Sequence, residues 1–178
     1  MAGNRIAIFG GSFNPVHNGH VGIVRRALER FAPCRVLVVP AATSPFKTLA
    51  RDTLPDALRL AMVRAAFGGM ENVGTDEREI ERGGVSFAID TVREIAAENP
   101  RAELIFLVGE DAMEGVPMWK DAEELRRLCR FEAFERTRES SSEIRRRLAA
   151  GDAGALDDIP PAAARLLAEY MDLDGKGK

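Results

Sequence analysis

Arg5-Ile6-Ala7-Ile8-Phe9-Gly10-Gly11-Ser12, continued by Phe13-Asn14-Pro15-Val16-His17-Asn18-Gly19-His20, is the stretch from which the rest of the chain can be read. The apolar run Arg5–Phe9 predicts a buried strand. Two glycines follow at once, then a proline, then two histidines in an H-x-G-H spacing. Beyond them Val21, Val24, Ala27, Leu28 and Phe31 recur with a helical period. A strand therefore passes through a glycine turn into the N-terminus of a helix. Glycine lets a ligand approach the backbone without a Cβ in the way. The first N–H groups of the helix and its positive dipole end favour an anion at the same place. His17 and His20 are the only histidines of the chain, and imidazole is the side chain that exchanges protons near neutral pH. The turn is neither the P-loop nor the dinucleotide fingerprint, since G-x-x-x-x-G-K-[ST] and G-x-G-x-x-G are both absent. Taken alone, a Gly-Gly pair after a strand is as readily an ordinary tight turn.

Working outward, strands and helices alternate. Arg35–Pro40 predicts a second strand, Leu54–Phe67 a helix stopped by Gly68 and Gly69, and Asn72–Glu81 a third strand with a charged edge. Pro33 ends the first helix. Ser86–Ala97 predicts a helix with Ser86 as its cap, and Ala102–Val108 a strongly apolar strand ending at Gly109. Asp121–Leu128 predicts a short helix, Phe131–Phe134 a short strand, and Ser140 or Ser141 the cap of a helix through Leu148. Pro161–Tyr170 predicts a last helix. This order implies βαβ units in an α/β fold: a Rossmann-like, doubly wound parallel sheet with helices on both faces and a small helical C-terminal part. Ligands of such sheets bind at the carboxyl ends of the strands, near the switch point. The expected organisation is one domain over residues 1–178. It comprises a core of 1–136, a helical part of 137–173 carrying the serine motif, and a frayed tail of 174–178.

The chain has 178 residues, 46% hydrophobic and 30% charged, with a net charge of −3. That is the profile of a soluble globular protein with a sizeable core. No global basic field advertises nucleic acid or membrane. No apolar run is long enough to span a bilayer, and Asn4-Arg5 leads into a strand without a signal-peptide pattern. Cys34 and Cys129 lie far apart in apolar stretches. They read as reduced core residues, and a cytoplasmic location is expected. Two histidines with no further histidine argue against a zinc site.

The whole opening segment, Gly-Gly-Ser-Phe-Asn-Pro-Val-His-Asn-Gly-His, resembles the signature of the (T/H)-x-G-H nucleotidylyltransferase superfamily. Its form is typical of the bacterial nicotinate-nucleotide adenylyltransferases. Further segments are similar to that family in the same order: Pro40–Lys47, Glu79–Thr91, Phe106–Asp111 with Pro117-Met118-Trp119, and Ser140–Arg145. The resemblance implies transfer of AMP from ATP to nicotinate mononucleotide, with Mg²⁺ arriving on ATP. It implies catalytic roles for His17, His20, Lys47 and Arg145. ATP would be held by Gly10, Gly11, Ser12, Phe13, His17, His20, Gly109, Asp111, Ser141, Ser142 and Arg145. Nicotinate mononucleotide would be held by Ser12, Lys47, Phe87, Ala88, Trp119 and Lys120. The residue chemistry is compatible with these roles. Hydroxyls and N–H groups at a helix start hold phosphate oxygens, arginine adds a bidentate-capable cation, and an indole ring can stack on a pyridine. No protein metal ligand is expected.

Four departures from the family pattern stand out. Phe46 replaces histidine before Lys47, Phe87-Ala88 replaces Tyr-Thr, and Lys120 replaces an aromatic residue. Most notably, only Thr137, Arg138 and Glu139 separate Arg136 from Ser140, where relatives carry a loop and another strand. Two outcomes are open. The serine motif is displaced or mobile, or Phe131–Arg136 alone seats it. Acceptors other than nicotinate mononucleotide, such as nicotinamide mononucleotide or phosphopantetheine, and a nucleotide-binding role with impaired catalysis are the alternative readings.

Overall fold

Ile6, Ala7, Ile8 and Phe9 are all buried, because the strand they form lies in the middle of a parallel sheet covered on both faces. The computed structural model describes residues 4–32, 34–45, 53–135 and 137–175. Its strands are β1 (Arg5–Gly11), β2 (Cys34–Pro40), β3 (Val73–Thr75), β4 (Glu103–Gly109) and β5 (Arg130–Phe134). They pair in the order β3-β2-β1-β4-β5, and every pairing is parallel. The helices are α1 (Asn18–Phe31), α2 (Asp56–Phe67), α3 (Arg78–Arg82), α4 (Ala88–Glu98), α5 (Glu110–Met113), α6 (Ala122–Leu128), α7 (Ser141–Ala149) and α8 (Pro161–Gly175).

Alternation along β1 divides the core in two. Ala7 and Phe9 face a cluster that includes Val24, Met62, Ile144 and Leu167, from α1, α2, α7 and α8. Ile6 and Ile8 face the other cluster, with Val92 of α4 and Leu125 of α6. Helices therefore cover both faces of the sheet, as the alternation of elements predicted. The chain winds outward from β1 through β2 to β3 and then resumes on the other side with β4 and β5. The winding direction reverses between β1 and β4, and a crevice opens at their carboxyl ends. Gly10, Gly11 and Gly109 stand there.

Three local expectations change. The predicted strand Asn72–Glu81 is a strand only at Val73–Thr75. The carboxylate of Asp76 accepts the backbone N–H of Arg78 at 3.1 Å, a turn that starts α3 instead of prolonging the edge. Ser86 does not cap α4, whose N-cap is Phe87. Its hydroxyl instead accepts the N–H of Ala42 at 3.0 Å, while its own N–H donates to the Thr43 carbonyl at 2.8 Å. Helix α1 begins at Asn18, ahead of the periodic apolar residues, for a reason found in the histidines themselves. Pro33 and Lys176–Lys178 lie outside the described residues. Cys34 is partly buried and Cys129 buried, both as free thiols, and burial pushes the Cys129 thiol up to about 12.

Candidate active site

His17 is the N-cap of α1, in extended backbone. Its N–H donates to Nδ1 of His20 at 3.1 Å, so the second histidine takes the place that glutamate or glutamine fills in a capping box. The two imidazoles stack, with centroids 3.6 Å apart and planes 27° from parallel. With Nδ1 of His20 accepting, a neutral ring carries its proton on Nε2, the donor a phosphate oxygen needs. Phe13 sets its ring edge against His20 at 4.9 Å and is itself buried. Gly19 has a role other than turning the chain. A Cβ there would stand 1.9 Å from Oγ1 of Thr137 and 3.1 Å from Nδ1 of His17. Hydrogen at this position is what lets the 137–139 connection lie against the histidine motif.

Beyond that connection the serine motif lies against the turn before His17. The hydroxyl of Ser141 donates to the Pro15 carbonyl at 2.9 Å, and Nη1 of Arg145 donates to the Asn14 carbonyl at 2.5 Å. Ile144 between them is buried in the same cluster as Phe13. Asn18 reaches the Asp157 carbonyl at 2.9 Å. The short connection thus seats α7 directly on the turn that leads to His17. Glu139 lies within electrostatic reach of His17. Its carboxyl is held below the usual range by its own backbone N–H, then by the Thr137 hydroxyl, with a smaller contribution from His17. Ser142 is exposed and Ser140 caps α7 without a side-chain bond, so of the three serines Ser141 makes the docking contact.

Beside this corner lies a cavity of about 300 Å³, at the crevice between β1 and β4. Gly10, Gly11, Ser12, Phe87, Ala88, Gly109, Trp119 and Lys120 line it, so one space gathers predicted residues from three separate segments. Trp119 stands edge-on to Phe106 at 5.7 Å and to Phe131 at 5.9 Å. Its ring is therefore held by packing and still borders the cavity. Lys120 places Nζ 4.5 Å from the centre of the Phe87 ring and 3.3 Å from the Asp90 carboxylate, which offsets part of its charge. Asp111 is exposed at the start of α5. Its Oδ1 would be 2.5 Å from a Cβ on Gly109, so the carboxylate folds back over that glycine. Lys47 and Phe46 lie outside the described residues. Among the described residues no group of three or more His, Cys, Asp or Glu could hold a metal ion.

Two residues of the site were not singled out from the sequence. Glu79 is buried and lines the cavity. The Thr91 hydroxyl donates to it at 2.5 Å. Burial pushes its carboxyl above the usual range, while hydrogen bonds from Thr91 and Ser86 act against that. It stands in the Glu79–Thr91 segment, so its motif was visible even though its burial was not. Arg59 is 1% exposed and bonds to the Ser12 carbonyl at 2.6 Å. An arginine in the middle of a helix ordinarily reads as a solvated side chain, and no spacing marked it.

Residues 8–156 match the model of the cytidylyltransferase-like family. The chain belongs to that family. A protein of Synechococcus sp. (strain JA-2-3B'a(2-13)), named as a nicotinate-nucleotide adenylyltransferase, is 43% identical over 131 residues, covering 74% of this chain and 64% of the relative. A protein of the same name from Geobacter sp. (strain M21) is 38% identical over 162 residues, covering 91% of this chain and 74% of the relative. This cytidylyltransferase-like chain therefore falls in the nicotinate-nucleotide adenylyltransferase branch. It spans less than two thirds of the length of several curated relatives, 64% of the Synechococcus protein among them. A Vibrio parahaemolyticus crystal structure, named for the same activity, superposes with a TM-score of 0.76 at 24% identity over 93% of each chain, a likeness of fold. Among the described residues no helix is long and apolar enough to cross a membrane.

Proposed function

We propose that this chain transfers the adenylyl group of ATP to nicotinate mononucleotide, releasing pyrophosphate and forming deamido-NAD for NAD biosynthesis in the cytoplasm. The phosphate of the mononucleotide attacks the α-phosphorus of ATP. The new P–O bond forms as the bond to the β-phosphate oxygen breaks, and pyrophosphate leaves with the electron pair. No side-chain nucleophile is required. Catalysis is then positioning and charge stabilisation.

The observation that carries this reading is the stacked pair His17 and His20 at the N-terminus of α1, beside a cavity bordered by the Gly10–Ser12 turn and Trp119. In this reading His17 and His20 contact the ATP phosphates and stabilise charge on the departing pyrophosphate. Ser141, Ser142, Arg145 and Lys47 steady the remaining negative charge, and Gly10, Gly11, Phe13, Gly109 and Asp111 hold the nucleotide. The mononucleotide occupies the cavity, with its ring against Trp119 and Phe87, its carboxylate toward Ala88 and Lys120, and its phosphate toward Ser12. Mg²⁺ enters as part of the substrate, MgATP, since hard divalent ions keep to phosphate oxygens with few protein ligands. The core of 1–136 and the helical part of 137–173 work as one unit.

The test is pyrophosphate release at saturating Mg²⁺ with ATP and each of three acceptors: nicotinate mononucleotide, nicotinamide mononucleotide and phosphopantetheine. The expected result is turnover with the nicotinate compound above both others. Preference for the amide overturns the acceptor, and ATP binding without release from any acceptor overturns the enzymatic reading.

A further inference from the structure

Arg59 lies on the buried face of α2 with Met62, Val63 and Phe67. A buried guanidinium is costly unless its donors are bonded; here Nε has no partner among the described residues and the two terminal nitrogens carry every bond. Nη1 donates to the Ser12 carbonyl at 2.6 Å. Nη2 reaches the Ala41 carbonyl at 2.8 Å, the Ala42 carbonyl at 3.3 Å and the Asp56 carboxylate at 2.7 Å.

The carbonyls belong to two different loops. Ser12 follows β1, and Ala41 and Ala42 follow β2. Gly11 and Pro40 are partners in the sheet, so the loops leave it side by side, and both Ser12 and Ala41 line the cavity. A peptide is planar, with C=O and N–H pointing in opposite directions. Holding the Ser12 carbonyl toward α2 therefore turns the N–H of Phe13 away from it. Phe13 takes φ of 44°, a left-handed value seldom adopted outside glycine. An anchored carbonyl next to a disfavoured φ indicates a turn held in shape from outside.

We infer that Arg59 is a positioning residue for the proposed transfer. One guanidinium fixes the turn that receives the ATP phosphates at a set spacing from the loop that walls the acceptor cavity. It touches neither substrate and acts through Ser12, Ala41 and Ala42. The inference rests on the proposed function above. A planar fork of fixed donors can serve several carbonyls at once, which an ammonium on a flexible stem does not reproduce. Arg59→Lys therefore keeps the charge and loses the brace.

The experiment measures kcat, both KM values, ATP affinity by calorimetry and melting temperature for the parent, Arg59→Lys and Asp56→Ala, with assays well below each melting temperature. Arg59→Lys is expected to lose about 100-fold in kcat/KM, mostly in kcat, as misplaced reacting groups do. Asp56→Ala removes a partly exposed partner of Nη2 and is expected to lose about threefold in kcat while staying folded. A folded Arg59→Lys with kcat within about twofold of the parent overturns the inference, as does a loss fully accounted for by the unfolded fraction. Should Arg59→Lys fail to fold, a parental kcat in Asp56→Ala overturns it. If the parent itself shows no turnover, the proposed function fails instead. The brace is then read from ATP affinity, severalfold weaker in Arg59→Lys if it holds the turn and equal to the parent's if it does not.

Discussion

Between Gly10 and His20 the chain builds the proposed phosphate corner out of its own neighbours. His20 caps His17 from one helical turn away, Phe13 wedges against His20, and the glycine turn ends the strand that precedes them. The ring cavity on the other side of Ser12 has no such local origin. Glu79 and Phe87 come from one stretch and Trp119 and Lys120 from another, and they meet the glycine turn at the crevice where β1 and β4 lie side by side. The difference teaches how each end fails. A corner built from neighbours has little redundancy, so one substitution removes a function outright. A cavity assembled by packing spreads its contribution over many contacts, so single substitutions there are graded.

Changes at the histidines should produce the largest effect. His17→Ala and His20→Ala are each expected to lower turnover by about 100-fold or more, the scale of removing one donor that stabilises transition-state charge. Both variants should also lose stability. His20→Ala deletes the acceptor of the His17 N–H and His17→Ala the other half of the capping box, each a cap contribution of about 1 kcal/mol. Urea unfolding alongside pyrophosphate release measures both. Near-full turnover in either variant sinks the mechanism, and parental stability in both sinks the account of the cap.

Gly19 comes next, because it joins the local corner to the C-terminal helices. Gly19→Ala sets a methyl group where Thr137 already stands. It is expected to cost about 1–3 kcal/mol, the range for overpacking a filled site. Thr137→Gly in the same chain should recover most of that, since it removes Oγ1 and Cβ of Thr137 and leaves only Nδ1 of His17 near the new methyl group, at 3.1 Å. A Gly19→Ala protein as stable as the parent would show that the short connection yields freely, and the corner would then not depend on it.

The same contrast explains what could be read in the sequence. Periodicity found the apolar strands, because a parallel sheet buried on both faces demands continuous apolar runs, but the switch point between β1 and β4 comes only from the strand order. The H-x-G-H spacing and the turn before it were legible for the same local reason. Arg59 was not, since a buried cation is recognisable only once the carbonyls of Ser12, Ala41 and Ala42 converge on it. Ser86 looked like a helix cap and instead ties the loop after β2 to the start of α4. The segment holding Ser86 was visible, but its partner Ala42 lay 44 residues away. The seating of Ser141 and Arg145 on Pro15 and Asn14 likewise depends on where α7 lands. The three residues of the connection do not encode that by themselves.

In the cavity the expected effects shrink. Trp119→Ala should raise KM for nicotinate mononucleotide by about three- to tenfold, from the loss of a ring contact worth about 0.5–1.5 kcal/mol, and leave KM for ATP near the parental value. Trp119→Phe should retain most of the affinity, because Phe106 and Phe131 still have an aromatic edge to meet. An equal rise in both KM values would mean that the indole shapes the whole site and does not serve one substrate.

The smallest expected effect is a change of slope, and it isolates the one acid buried in the cavity wall among the described residues. Burial raises the Glu79 carboxyl in the folded protein, against the hydrogen bonds from Thr91 and Ser86. The unfolded chain therefore releases this proton at lower pH than the folded one does. Below the unfolded value both states are protonated and the contribution to stability is complete. As pH rises through the window up to the raised folded value, the unfolded state binds fewer protons than the native state, and this contribution is lost. Glu79→Gln cannot titrate. Urea midpoints from about pH 4 to about pH 7 should thus fall for the parent relative to Glu79→Gln. Taking the difference removes Asp76, which is shifted oppositely: burial raises it, but its bonds to Arg78 outweigh that and leave it lowered. A parent that gains stability over the variant as pH rises would mean that Thr91 and Ser86 win over burial. Glu79 would then enter the cavity as a standing negative charge, opposing the carboxylate of the proposed acceptor.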